Sequence, residues 1–189
     1  LMEQGADVID LGAESTRPGA KPLDFDQEWN RLEPVLKPLV DAGITVSVDS
    51  YKPEIMRRAL DLGVRWINNI KGHTTADLDF LGSYPVNYIA MHIHGTPETM
   101  QQQPLVGKTA VDTVQQSFER IKEQALAVGI SPENLWLDPG IGFGKTDCAN
   151  ISLMSQVSSY AKHFNLAVGV SRKAWLGRFL HLERAQDRD

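Results

Sequence analysis

Six times along this chain a short apolar run ends abruptly in polar or charged residues, and that repeat constrains the fold more than any other feature. Val8-Ile9-Asp10-Leu11-Gly12 leads into Ala13-Glu14-Ser15-Thr16-Arg17-Pro18-Gly19, and Val46-Ser47-Val48-Asp49 leads into Ser50-Tyr51-Lys52-Pro53. Trp66-Ile67-Asn68-Asn69-Ile70 precedes Lys71-Gly72, and Tyr88-Ile89-Ala90-Met91-His92 precedes a long polar loop. Leu135-Trp136-Leu137-Asp138 opens into Pro139-Gly140-Ile141-Gly142-Phe143-Gly144-Lys145, and Ala167-Val168-Gly169-Val170-Ser171 into Arg172-Lys173. Runs of this length read as buried strands. In a parallel sheet all six polar ends lie on one face, where α/β proteins keep their sites.

Helical patterns fill the intervals. Residues 26–42 place Trp29, Leu32, Val35, Leu36 and Leu39 on one stripe, with Pro34 and Pro38 predicting a kink or a broken start. Pro53 and Glu54 suit a first helical turn, followed by Ile55, Met56, Ala59 and Leu60 and stopped by Gly63. Val111, Val114, Phe118, Ile121 and Ala125 define another helix, and Ile151, Met154, Val157 and Phe164 a further one. The last runs from Trp175 to Leu182, and a short one is expected near residues 76–81. Strands alternating with helices predict a parallel sheet with right-handed crossovers. No Gly-rich dinucleotide fingerprint follows the first strand, which favours a (β/α)8 barrel over a nicotinamide-binding sheet. Only six of eight strands are found. The expectation is therefore a partial barrel over residues 1–189, with one unit preceding Leu1 and the last strand following Asp189.

Composition narrows the function. A net charge of −5 argues against a nucleic-acid partner, yet leaves room for anionic small molecules because Arg17, Arg172 and Lys173 fall on the site face. One cysteine, Cys148, rules out an internal disulfide and fits a cytoplasmic location. No run approaches the length of a membrane span.

Taken together and in order, the motifs resemble dihydropteroate synthases. They are Glu14-Ser15-Thr16-Arg17-Pro18-Gly19, Val48-Asp49-Ser50 with Lys52-Pro53-Glu54, Ile67-Asn68, and Met91-His92 with Gly95, Pro97 and Met100-Gln101. Asp138-Pro139-Gly140 with Gly142-Phe143-Gly144-Lys145, and Ser171-Arg172-Lys173, complete the set. The resemblance implies a barrel transferase of folate biosynthesis, a sulfonamide target. It joins 6-hydroxymethyl-7,8-dihydropterin diphosphate to p-aminobenzoate, releasing pyrophosphate, with Mg²⁺ assisting and the full-length protein a homodimer. A pterin edge alternates N–H donors with acceptors, so carboxylates and amides at fixed positions suit it.

By that similarity Asp49, Asn68, Asp138 and Lys173 bind the pterin edge, and Asp49, Asp138 and Lys173 form the catalytic set. Met91 and Ile70 face the ring, with ordinary core packing as the alternative, and Gly169 leaves space for close approach. Thr16, Arg17, Pro18, Phe143 and Lys173 form the p-aminobenzoate pocket, although Arg17 also reads as a solvated loop charge. The metal ligand and further diphosphate contacts are expected outside residues 1–189. His92 receives no role. Two departures stand out: Asn69 where the family usually has an acid, and Ala174 where it usually has Ser or Thr. The alternatives are a methyltetrahydrofolate-dependent methyltransferase and a non-catalytic pterin-binding paralogue.

Overall fold

The structure, a computed structural model, describes residues 1–16, 21–72, 76–97 and 99–187. Six strands form one sheet in sequential order: β1 (Ile9–Leu11), β2 (Val46–Asp49), β3 (Trp66–Asn69), β4 (Asn87–Met91), β5 (Leu135–Asp138) and β6 (Asn165–Leu166). Every neighbouring pair is parallel. Between them run α1 (Phe25–Asp41), α2 (Pro53–Asp61), α3 (Gly107–Ala127) and α4 (Asp147–Tyr160), with α5 (Ala174–Leu180) after β6. This is the expected α/β architecture, six strands of a (β/α)8 barrel.

The pleat sorts the residues into two environments. Val48, Ile67, Tyr88, Ala90 and Leu137 face the helices and are buried, joining Leu36, Ile55, Met56, Phe118 and Leu153 in the main core. Their alternates, Asp10, Trp66, Asn68, Ile89, Trp136 and Asp138, share the other face and remain partly or fully exposed. The register makes this a common face, since Asp10 pairs with Ser47, Asp49 with Asn68, Asn68 with Ile89, and Met91 with Asp138. Trp66 and Trp136 lie across it with ring centroids 5.3 Å apart.

Local signals set the helix starts. Asp24 caps α1, accepting the Gln27 N–H at 2.8 Å while Gln27 reaches back, and Thr146 caps α4. Three expectations need correction. The helix at residues 26–42 is unbroken through Pro34 and Pro38, and its stripe excludes Val35, which is 52% exposed. In α4 the buried face is Ala149, Asn150, Leu153 and Tyr160, whereas Ile151 is exposed. The last strand lies at residues 165–166 rather than 167–171. Its partner β5 turns away at Asp138-Pro139, so the ladder ends with the Ala167 N–H bonded to Leu137 O. The short helix near residues 76–81 is a 3-10 helix, Ala76–Ser83.

Candidate active site

A cavity of about 270 Å³ lies on the inner face of the sheet, reaching from Val8 and Trp66 at the strand starts past Asp10 to Asn68, Asp138 and Gly169 toward the C-terminal ends. Asn68 Nδ2 donates to Asp10 Oδ2 at 3.0 Å. That bond fixes the amide so that Asn68 Oδ1 remains available as an acceptor. Asp138 Oδ1 accepts the Gly140 N–H at 2.6 Å. Gly140 makes that turn with φ +64°, and an added Cβ would lie 1.9 Å from His92 O. Burial raises the Asp138 carboxyl above the ordinary carboxylate range, opposed by the Gly140 N–H and by the ammonium groups of Lys173 and Lys145.

Asp49 pairs in register with Asn68 and lies next to Gly12, where a Cβ would be 3.3 Å away from Asp49 Cβ. Its carboxylate accepts no hydrogen bond among the described residues. Burial, then the like charges of Asp10, Glu28 and Glu14, push its pKa up to about 7. Lys173 precedes α5 and donates from Nζ to Ile141 O at 2.9 Å, with the ammonium 4.4 Å from the Phe143 ring centroid. Burial lowers its pKa, and Asp138 opposes that shift. A Cβ built on Gly169 would meet both Lys173 Nζ and Asp138 Oδ2 at just under 4 Å, so these three converge. Ile70 and Met91 are buried but stand outside the main core cluster, which leaves them free to wall a ligand.

Other expected positions separate. Thr16 lines a smaller cavity of about 100 Å³ with Glu14, Tyr51 and Pro97. Arg17 and Pro18 lie outside the described residues. Among the described residues no group of three or more His, Cys, Asp or Glu side chains could hold a metal ion. Asn69 is buried, donates to Tyr88 Oη at 2.7 Å and accepts the Lys71 N–H at 2.9 Å. Its neutral amide is thus held on both sides, through Nδ2 and through Oδ1.

Two sets of residues escaped the sequence reading. Lys145, 4% exposed, donates to three carbonyls: His92 O at 3.2 Å, Gly140 O at 2.9 Å and Phe143 O at 2.9 Å. It staples the glycine-rich loop to the end of β4, and burial lowers its pKa to about 7. Asn150 and Gln101 brace the same loop through the Gly142 N–H and carbonyl. Around the first loop, Lys52 bridges Glu14 at 2.6 Å and the buried Glu28. Glu14 also accepts from Tyr51 Oη at 2.7 Å and from the Leu23 N–H at 2.8 Å, tying both stems of the loop to β2. Asp10 had a signal, a charged residue at the centre of a strand; Glu14 and Lys52 stood in the motif set, but nothing in the sequence pairs them across 38 positions.

The family description "pterin binding enzyme" matches residues 1–189. The dihydropteroate synthase of Synechocystis is 36% identical over 184 residues, covering 95% of this chain and 63% of its own length. The chain thus spans just under two thirds of that relative. The Anaplasma phagocytophilum dihydropteroate synthase, solved with bound 6-hydroxymethylpterin-monophosphate, superposes with a TM-score of 0.90 at 32% identity, over all of this chain and 76% of that one. The Xanthomonas albilineans dihydropteroate synthase with 4-aminobenzoic acid gives 0.89 at 32%, over 99% and 67%. With a family matching over every residue and relatives alike in sequence and overall fold, the chain belongs to the pterin binding enzymes and, among them, to the dihydropteroate synthases.

Proposed function

We propose that this chain carries the pterin and aminobenzoate pockets of an enzyme that condenses 6-hydroxymethyl-7,8-dihydropterin diphosphate with p-aminobenzoate. The observation that carries the reading is the inner-face cavity onto which Asp138, Asn68 and Asp10 open, with Lys173 close to Asp138 at Gly169. Asp138 and Asp49 accept the N–H donors of the pterin edge, Asn68 Oδ1 accepts another, and the Lys173 amine donates to a ring acceptor. Met91 and Ile70 flank the ring. Binding of N–H donors to Asp49 favours its anion, so pterin affinity falls as pH drops below about 7.

In the reaction the C–O bond to diphosphate breaks with its electron pair leaving on the diphosphate. The aniline nitrogen of p-aminobenzoate then bonds to the exocyclic methylene carbon and sheds a proton to water. Positive charge that develops on the pterin meets the carboxylates of Asp49 and Asp138, with Asp10, Glu14 and Glu28 adding to the negative field. Phe143 and Lys173 wall the aminobenzoate site, and Thr16, Arg17 and Pro18 approach it from the first loop. Mg²⁺ would assist at the diphosphate with ligands other than the described residues. The working protein is a cytoplasmic homodimer in this reading.

Calorimetry with 6-hydroxymethylpterin monophosphate tests it. Asp138→Asn replaces a charge-assisted acceptor by a neutral amide and weakens binding by about 1–3 kcal/mol. Unchanged affinity would assign Asp138 to loop geometry alone and overturn the pocket.

A further inference from the structure

Three carboxylates and one ammonium are packed around the end of β2. Glu14 stands two residues past Gly12, where an added Cβ would lie 3.3 Å from both Asp49 Cβ and Asp49 Oδ2. Lys52 follows Asp49 by three residues, at the N-terminal cap of α2. Its Nζ donates to Glu14 Oε2 at 2.6 Å and also to Glu28 Oε2. Glu28 comes from the first turn of α1 and is only 1% exposed, too deep to touch a ligand.

The two glutamates do unlike work. Glu14 accepts from Tyr51 Oη at 2.7 Å and from the Leu23 N–H at 2.8 Å as well as from Lys52, so it makes the ties of the first loop. Among the described residues the Glu28 carboxylate meets Lys52 and nothing else. Lys52 is thereby shared by two acids, which leaves one negative charge of the cluster without a counter-ion. A buried charge in excess of its partners costs stability. A neutral residue at position 28 would avoid that cost and leave Glu14 and Lys52 a balanced pair, so the role of Glu28 lies in its charge. Asp49 is the ligand-facing group that feels it. Its pKa of about 7 reflects burial first, then the like charges of Asp10, Glu28 and Glu14. On its other side Asn68 of β3 is neutral, and the Lys71 ammonium is held 3.6 Å from the Tyr51 ring centroid. We propose that Glu28 is a positioning residue for the pterin site: without touching substrate, it keeps an uncompensated negative charge beside Asp49. The site is then more negative than Asp49 alone would make it, the sign that positive charge developing on a pterin requires. The inference rests on the pterin reading of Asp49.

Carboxyl-carbon NMR of this chain follows the Asp49 titration directly, and calorimetry with 6-hydroxymethylpterin follows its use in binding. Glu28→Gln removes a like charge, so the Asp49 midpoint should move down by about one unit. A larger fraction of Asp49 is then anionic at pH 6, where the variant should bind pterin about fivefold more tightly than the wild type, while matching it at pH 8.5. Glu28→Asp keeps the charge and should stay with the wild type. In an Asp49→Asn background, Glu28→Gln should leave the pH dependence of binding unaltered. Should Glu28→Gln fail to fold, the wild type decides: the Glu28 carboxyl resonance should shift at the Asp49 midpoint, because the two charges interact. An Asp49 midpoint unmoved in Glu28→Gln, binding weakened equally at both pH values, or a Glu28 resonance indifferent to Asp49 would each overturn the inference. A midpoint that moves down with no gain in pterin affinity upholds the charge coupling and instead overturns the pterin reading of Asp49.

Discussion

Asp49→Asn should stabilise the folded chain, and by an amount that grows with pH. The carboxylate is buried among Asp10, Glu28 and Glu14, receives no hydrogen bond among the described residues, and has its pKa raised from 3.8 to about 7. A carboxyl whose folded pKa exceeds its unfolded value keeps its proton in the folded state after the unfolded chain has lost it. Its contribution therefore favours folding at low pH, and stability falls as pH rises from 3.8 to about 7. Roughly three units at about 1.4 kcal/mol each give a ceiling of about 4 kcal/mol at pH 8. An amide of the same shape carries no such penalty. Urea unfolding of both proteins at pH 5 and pH 8 isolates the effect, because the other titrating groups largely cancel in the difference. His92 is one of these, with a folded pKa of about 3 against an ordinary 6.5, so its contribution rises with pH over that interval. The variant should gain about 2–4 kcal/mol over the wild type at pH 8 and clearly less at pH 5, while binding pterin more weakly. Equal differences at the two pH values would refute the assignment of strain to this carboxylate.

Two further outcomes follow from the glycine-rich loop. Lys145→Met leaves three carbonyl oxygens without their donor and should lower stability by about 2–3 kcal/mol. Because the folded amine loses its proton near pH 7 and the unfolded one near 10.5, wild-type stability gains a rising contribution across that interval. Urea midpoints at pH 7 and 9 should show that rise in the wild type and not in the variant. Gly140→Ala forces an alanine to φ +64° with its methyl against His92 O, which should cost about 3 kcal/mol or more and abolish pterin binding. Thermal unfolding and calorimetry would expose a tolerant loop as the error.

The first five strands were legible because each is a short apolar run closed by polar residues, a signal that local burial produces directly. The sixth misled. Residues 167–171 are apolar and β-branched enough to pass for a strand, but strand identity also needs a partner, and β5 had already turned at Pro139. In α4 the apolar residues Ile151 and Val157 suggested one face, while packing chose Ala149, Asn150 and Leu153, since Asn150 is needed inward to hold the Gly142 N–H. Asp49, Asn68, Asp138 and Lys173 were visible as polar residues at strand ends or in the turn beyond them. Lys145 and the Glu14–Lys52–Glu28 cluster were visible only as residues, because their roles depend on carbonyls and charges brought from distant positions.

The end of β4 is gripped from both sides by backbone. A Cβ on Gly72 would fall 1.8 Å from Met91 O, and one on Gly140 1.9 Å from His92 O. Two consecutive carbonyls are thus each seated against an α-carbon from a neighbouring loop. Every single-nucleotide missense change at either glycine codon adds at least a Cβ, so neither position has a neighbouring sequence that keeps the fit. Sequence change around the end of β4 is therefore channelled away from these two glycines and toward side chains whose substitution leaves the strand where it is.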